Sequence, residues 1–276
     1  MFDAKSTEHF MRWIQSGASS LPNFGLLYLV SSHYPWYLPD DVKRLYPTKL
    51  QYFPLIFGAS GNNLQEYEPA LHYRNALHEM DQVIGGVLAQ LEALRRHRPS
   101  VIVLVGDHGE ALGEHGQVSH STSLFDEQTR VTLMINDGLH VNNAPDLRLI
   151  SHVDLAPTLL QMIRAPKFPG HQGVSRPPGL TPLESSPHRV FLTAQGLAVM
   201  DGVVEWPLKA IVDNSSAQLS LFNLDKDPNE TTDLAAMLPA EAARLKKLIK
   251  EFKILQRSYY SNPPKMRTQI SPARFD

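Results

Sequence analysis

A short aliphatic run, Val101 to Val105, stops at Gly106 and delivers Asp107-His108-Gly109 into a loop dense in Gly, His and acid. A run this apolar suits a strand covered on both faces, as in a parallel sheet. The same grammar occurs earlier. Phe24 to Val30 is almost wholly apolar, is bounded by Pro22 and Ser31-Ser32, and releases into His33-Tyr34-Pro35-Trp36. Between the two runs, Leu77, Met80, Ile84, Val87, Leu88, Leu91 and Leu94 fall on one stripe of a helix spanning 71–94. Gly85-Gly86 inside it reads as a close approach to the sheet, and Pro99 closes it. Strand, helix, strand in this order predicts an α/β sheet.

Outside this frame the pattern predicts a helix over 8–16 with Phe10, Trp13 and Ile14 inward, and a surface excursion over 37–65 rich in Pro, Tyr, Gly and Asn. It also predicts a strand over 130–135 and a helix over 155–163 capped by Asp154. A Pro- and Gly-rich loop covers 164–188. From Arg189 short alternating segments (VFLTA, KAIVD, AQLSLFNL) predict an antiparallel meander. A helix over 239–255 follows it, and then a tail from 261. The expected domains are thus 1–188, 189–260 and the tail 261–276.

Ligands of open α/β sheets bind outside the carboxyl ends of the strands. Two runs end there in histidine: Val30 leads to His33, and Val105 to Asp107-His108. His115 and His120 lie on the same loop as the Asp-His pair. An adjacent carboxylate and imidazole, relieved by Gly106 and Gly109, can turn toward one ion. The donor set suits zinc or manganese better than magnesium or calcium. Two ligands do not complete a site, so one or two further carboxylates must come from elsewhere. Read alone, Asp107-His108 is also compatible with a turn and a surface histidine. His115 is as compatible with solvent as with a supporting place; His72, His78 and His97 fall on the long helix, and His171 and His188 carry no signal.

Several classes are excluded or unsupported. No cysteine is present among 276 residues, so disulfides, thiolate metal sites and a cysteine nucleophile are absent from them. The net charge of -2 implies no nucleic-acid-binding surface. No Gly-x-Ser-x-Gly elbow and no Walker-type phosphate loop occurs. Glu66, Glu68 and Glu79 read as a solvated helix face rather than a glycosidase pair. No signal peptide or membrane-length apolar stretch is present in the chain.

The motifs, taken together, resemble one family. VIVLVGDHGEALGEHG is similar to the metal-binding segment of the sulfatase branch of the alkaline phosphatase superfamily, and YLVSSHYPW to its strand and substrate-contacting histidine loop. RNALHEMDQVIGGVLAQLEAL, TRVTLMI, SHVDLAPTLLQM and LFNLDKDPNETTDLA resemble further family segments, in family order, over roughly residues 20 to 255. The resemblance implies an alkaline-phosphatase-like, mostly parallel sheet flanked by helices, with a small antiparallel C-terminal subdomain. It implies a metal-dependent hydrolase of sulfate esters, with a divalent metal ion (calcium, zinc or manganese) and a sulfate- or phosphate-ester substrate. Asp107 and His108 would be metal ligands. His33 would hydrogen-bond the ester oxygens or protonate the leaving group. Where many sulfatases carry a lysine, this chain reads His120-Ser121-Thr122-Ser123-Leu124-Phe125-Asp126, which makes His120 the replacement.

That departure resembles phosphoethanolamine transferases, so a phosphoethanolamine- or phosphoglycerol-type phosphotransferase of the same fold is an alternative. The family nucleophile lies in a Cys or Ser, x, Pro, x, Arg segment. No such segment, and no aspartate pair, stands ahead of the first strand here. The chain is therefore expected to hold no nucleophile and to be the C-terminal portion of a larger enzyme, a truncated product or one piece of a split protein. A membrane anchor or a missing N-terminal half would lie outside it, and it would be inactive in isolation. A third alternative is a catalytically inactive binding module. The family is usually exported or membrane-anchored, and nothing in these residues assigns a compartment.

Overall fold

The computed structural model describes residues 2–16, 22–38, 42–49, 68–95, 99–138, 149–166, 170–178 and 189–261. Most of the 37–65 excursion, parts of the 164–188 loop with His188, His97 and the tail beyond 261 lie outside the described residues. Two compact units are distinguished: Met1–Val101 with Glu110–Ser119, and Ile102–Gly109 with His120–Asp276.

The first unit is built on two helices, α1 (Phe2–Ser16) and α2 (Pro69–Arg95), and on a hairpin of β2 (Ala111–Leu112) and β3 (Val118–Ser119). In α1 the buried residues are Asp3, Thr7 and Met11, one per turn. The expected inward face of Phe10, Trp13 and Ile14 is displaced because the Asp3 carboxylate accepts the backbone N–H groups of Val30 (2.9 Å) and Ser31 (2.7 Å). A buried carboxylate that satisfies two backbone donors fixes the helix roll more firmly than a half-exposed tryptophan. Likewise α2 buries Pro69, His72, Asn75, Ala76 and Val87 rather than the whole predicted stripe. Asn75 explains part of this, since its side-chain amide closes two 2.8 Å bonds with the backbone of Tyr46. Gly85 and Gly86 have open space where a Cβ would stand, so the expected close approach to the sheet is not made there.

The run from Phe24 to Val30 was expected as a strand. It has no strand assignment, and Phe24 and Leu26 are 81% and 80% exposed. A strand exists only through its partners, and none pairs with this run among the described residues.

The second unit opens with β1 (Ile102–Val105), which pairs antiparallel with β4 (Leu133–Asn136) in the register Ile102 to Asn136 and Val105 to Leu133. Every strand pair among the described residues is antiparallel, so the parallel pairing expected of the sheet is not present among them. Between β1 and β4 lies the single helical turn α3 (Asp126–Thr129). A 3-10 turn, His152–Asp154, leads into α4 (Leu155–Met162). Asp154 stands at the N-cap of α4 as expected, but its carboxylate caps no N–H of that helix; it accepts the Ser151 N–H in a reciprocal capping box at the start of the 3-10 turn. Asp154 is buried and also accepts the Val174 N–H at 2.7 Å, which draws the 170–178 segment against the helix start.

The C-terminal meander is β5 (Arg189–Gln195), β6 (Val199–Glu205), β7 (Leu208–Asp213) and β8 (Leu219–Asn223), in that spatial order. One face packs on α5 (Pro239–Ser261): Val203, Ala210 and Leu221 meet Leu245, Leu248 and Ile249. The other face gathers Leu124, Ala194, Ile211 and Phe222. This second cluster anchors the segment just before α3 to the sheet.

Candidate functional site

The loop after β1 is pinned through its backbone. Gly106 N–H donates to the Thr132 carbonyl (3.1 Å), continuing the β1–β4 ladder by one step, and Gly109 N–H donates to the Gln128 carbonyl (2.9 Å). The Gly106 carbonyl accepts a 2.8 Å bond from Nε2 of His152. Gly109 is obligatory here, since a Cβ would collide with the Glu127 carbonyl. Asp107 and His108, held between these glycines, face solvent.

One ring nitrogen of His108 is engaged by the backbone. Its Nδ1 lies 2.8 Å from the Gly109 carbonyl. A carbonyl can only accept, so Nδ1 carries the proton and the neutral ring presents its lone pair at Nε2. A metal-binding imidazole is commonly set in this way, by donating its second N–H to a backbone carbonyl. The Asp107 carboxylate accepts the His108 N–H at 3.0 Å through Oδ1. His120 joins them: its ring centroid lies 4.2 Å from that of His108, with the planes tilted by 33°. Among the described residues no group of three or more His, Asp or Glu side chains stands ready to hold a metal ion. Asp107 and His108 offer a carboxylate and an imidazole, fewer donors than the shell of a divalent ion takes.

His33 belongs to the first unit. Its N–H returns to the Val30 carbonyl and its carbonyl accepts the Trp36 N–H, a tight turn. Trp36 is the anchor of that turn, buried with Ala76 among Tyr34, Tyr73, Leu112 and Val118. The His33 ring is exposed, and its Nδ1 donates to the Tyr34 carbonyl at 2.6 Å, which places its lone pair on Nε2 as in His108. In the same unit burial pushes the Glu110 carboxyl up to about 7, and burial together with Glu110 raises Tyr73. His115 is exposed on a left-handed backbone (φ 49°). His72 is buried, and that burial lowers its pKa.

The sulfatase family model matches residues 1–165. The chain belongs to the sulfatase family. Arylsulfatase K of Danio rerio is 28% identical to it over 183 residues, which cover 62% of this chain and 35% of that protein. The chain thus spans about a third of the length of the curated relatives it matches. The solved structure of BT4656 in complex with its substrate D-glucosamine-2-N,6-O-disulfate superposes at a TM-score of 0.60 and 24% identity, covering 74% of this chain and 43% of that one. The phosphonate monoester hydrolase of Agrobacterium radiobacter superposes at 0.63 and 20% identity, covering 91% and 60%. The fold is that of the alkaline-phosphatase-like sulfatases, with mixed helix and strand and an antiparallel sheet at the C-terminus. The family generally works with a divalent metal ion.

Three supporting residues escaped the sequence reading. Gln128 gave no signal, a polar letter between acids and a threonine, and Thr132 fell within the strand expected over 130–135 with nothing to mark its carbonyl as the partner of Gly106. His152 lies in SHVDLAPTLLQM just ahead of the expected helix, and its letters do not show the bond to the Gly106 carbonyl. The reading also missed that Ser185-Ser186-Pro187-His188-Arg189 spells Ser, x, Pro, x, Arg. That spelling belongs to a different place: Arg189 opens β5 and its guanidinium is engaged by Glu205 on β6 at 3.1 Å, while 185–188 lie outside the described residues.

Proposed function

We propose that this chain supplies part of the metal and substrate site of a sulfatase that hydrolyses sulfate esters. The observation that carries the reading is the Asp107-His108 pair, with Nδ1 of His108 donating to the Gly109 carbonyl and Nε2 left with its lone pair. Asp107 and His108 would hold the divalent ion, with calcium, zinc and manganese as candidates. When bound, such an ion polarises ester oxygens and lowers the pKa of a nucleophile. The residues of the chain do the rest: His120, beside His108, stabilises negative charge on the transferring group, and His33, whose Nδ1 proton is held by the Tyr34 carbonyl, donates to an ester oxygen or protonates the leaving group only when Nε2 also carries a proton. The names of the relatives, an arylsulfatase and a protein whose substrate is a sulfated glucosamine, support a sulfate ester as substrate.

A phosphorus ester is the second reading. It is favoured by His120 standing where many sulfatases carry lysine and by the fold shared with a phosphonate monoester hydrolase. We assign residues 1–188 to the catalytic portion and 189–260 to the antiparallel subdomain.

The test is metal binding followed by turnover. Calorimetric titration with Mn²⁺, Zn²⁺ and Ca²⁺ is expected to show one site, weakened at least tenfold by Asp107→Asn or His108→Ala. Unchanged binding in both variants would sink the reading. Aryl sulfate and aryl phosphate are then offered to the metal-loaded chain with a polypeptide carrying a sulfatase Cys or Ser, x, Pro, x, Arg segment. Faster hydrolysis of the sulfate supports the first reading, and faster hydrolysis of the phosphate selects the second.

A further inference from the structure

The loop that bears His120 and the loop that bears Asp107 and His108 have no strand in common in their unit, yet they meet at one residue. Gln128 sits in α3 and is buried, 4% exposed. Its Oε1 accepts the backbone N–H groups of Thr122 (3.1 Å) and Ser123 (3.2 Å), and its Nε2 donates to Thr122 Oγ1 (2.7 Å) and Ser123 Oγ (2.8 Å). The two N–H donors fix which end of the amide is oxygen, and the four bonds use both of its acceptor positions and both of its donors. Its backbone carbonyl takes the Gly109 N–H at 2.9 Å. One residue therefore grips the His120 loop with its side chain and the His108 loop with its main chain.

The grip falls where the chain needs it. Ser121, between His120 and the gripped Thr122, has a left-handed backbone with φ 62°. A side-chain-bearing residue keeps that conformation only where its surroundings hold it. Here they do so on both sides: the Ser121 carbonyl accepts the Ala198 N–H at 3.0 Å, and Gln128 fixes the next two residues.

We infer that Gln128 is the positioning residue that sets His120 against His108, by tying the loop of each to the same helical turn. The inference rests on the proposed site and gives it a specific device: the spacing of a charge-stabilising imidazole from a ligand imidazole is governed by a buried amide that touches neither. Leucine at 128 removes all four side-chain bonds. Glutamate keeps an oxygen for the two N–H groups and offers its second oxygen to the Thr122 and Ser123 hydroxyls, which can turn to donate.

The experiment uses the 276-residue chain and reads the His108–His120 ring contact directly, by nuclear Overhauser effects between their ring protons, without metal or substrate. The contact is expected in the wild type, lost in Gln128→Leu and retained in Gln128→Glu, with cooperative unfolding kept in all three. An undiminished contact in Gln128→Leu, or its loss in Gln128→Glu as well, overturns the inference. Should Gln128→Leu not fold, the double variant Thr122→Val, Ser123→Ala removes the two hydroxyl partners from the other side. It is expected to weaken the contact several-fold, and an unchanged contact there overturns the inference. A parallel Mn²⁺ titration separates the two levels. Broadening of His108 that persists in Gln128→Leu while that of His120 is lost supports the inference. Absence of broadening at both rings in the wild type contradicts the metal reading and leaves the ring contact to judge Gln128.

Discussion

The β1–β4 pair and the β5–β8 sheet are both antiparallel, and they are held in opposite ways. In the C-terminal sheet the centre is dry: Val203, Ala210 and Leu221 are fully buried, and α5 closes one face. Its charges are paired inside the unit. Lys209, wholly buried, lies 2.8 Å from Asp126 and 2.9 Å from Glu230, and Asp201 is ringed by Thr193, Asn214 and Lys253. The β1–β4 pair is wetter, with Met134 59% and Val105 38% exposed, and its loops are fixed by backbone hydrogen bonds through Gly106, Gly109 and Gln128. Burial holds one region together; hydrogen-bond geometry shapes the other. Side-chain truncation should therefore cost stability in the first and function in the second.

The largest effect is expected at the buried charge cluster. Glu230→Ala leaves Lys209 with one carboxylate and Asp126 N–H without its 2.5 Å acceptor. Removing one partner of a buried pair costs about 3–5 kcal/mol. Denaturant unfolding should show that loss, and a change under about 1 kcal/mol would mean water reaches Lys209. Gly109→Ala comes next. The added methyl meets the Glu127 carbonyl, and overpacking of this kind costs about 1–3 kcal/mol. Metal affinity should fall more than stability does; equal metal affinity in the variant would show that the loop tolerates displacement.

Two carboxylates, one in each unit, differ in the sign of their response to pH. Burial raises Glu110, in the first unit, from 4.5 to about 7, so the folded state favours the proton. Stability contributed there is greatest below about 4.5, declines as pH rises toward 7 and levels off above. Burial alone would raise Asp201, but hydrogen bonds from Lys253, Asn214 and Thr193 outweigh it and lower its pKa. That contribution is full above the ordinary aspartate value and is lost as pH falls through the depressed one. Glu110→Gln should flatten the decline between pH 4.5 and 7 in thermal unfolding, and Asp201→Asn should remove part of the acid sensitivity. Profiles unchanged in both would contradict the assigned environments. The smallest effect belongs to the exposed strand face: Met134→Ser should change stability by less than about 0.5 kcal/mol, as surface substitutions do. A larger loss would mean that face is covered.

The contrast also explains what could be read from the letters. Short β-branched and aromatic segments bounded by turn residues mark β5, β7 and β8, so the meander was legible, although both faces of the sheet are apolar rather than one and the DGVV of β6 hid that strand. The abrupt end of β1 at Gly106 located the loop that carries Asp107 and His108, because an apolar run and a glycine are local facts. Non-local partners left no such trace. Asp3 fixes α1 through the backbone of Val30 and Ser31, which no helical stripe encodes. The run from Phe24 to Val30 has a strand's composition, but composition does not supply a neighbour. Gln128 is a polar letter between acids and a threonine, and its burial follows only from the Thr122–Ser123 turn that it grips.

The most direct test of the central claim is the Mn²⁺ dissociation constant of the chain, measured by electron paramagnetic resonance for the wild type, Asp107→Asn and His108→Ala at one pH and salt concentration. One saturable site, weakened tenfold or more by either substitution, is the predicted result. Equal affinity and stoichiometry in all three proteins would contradict it.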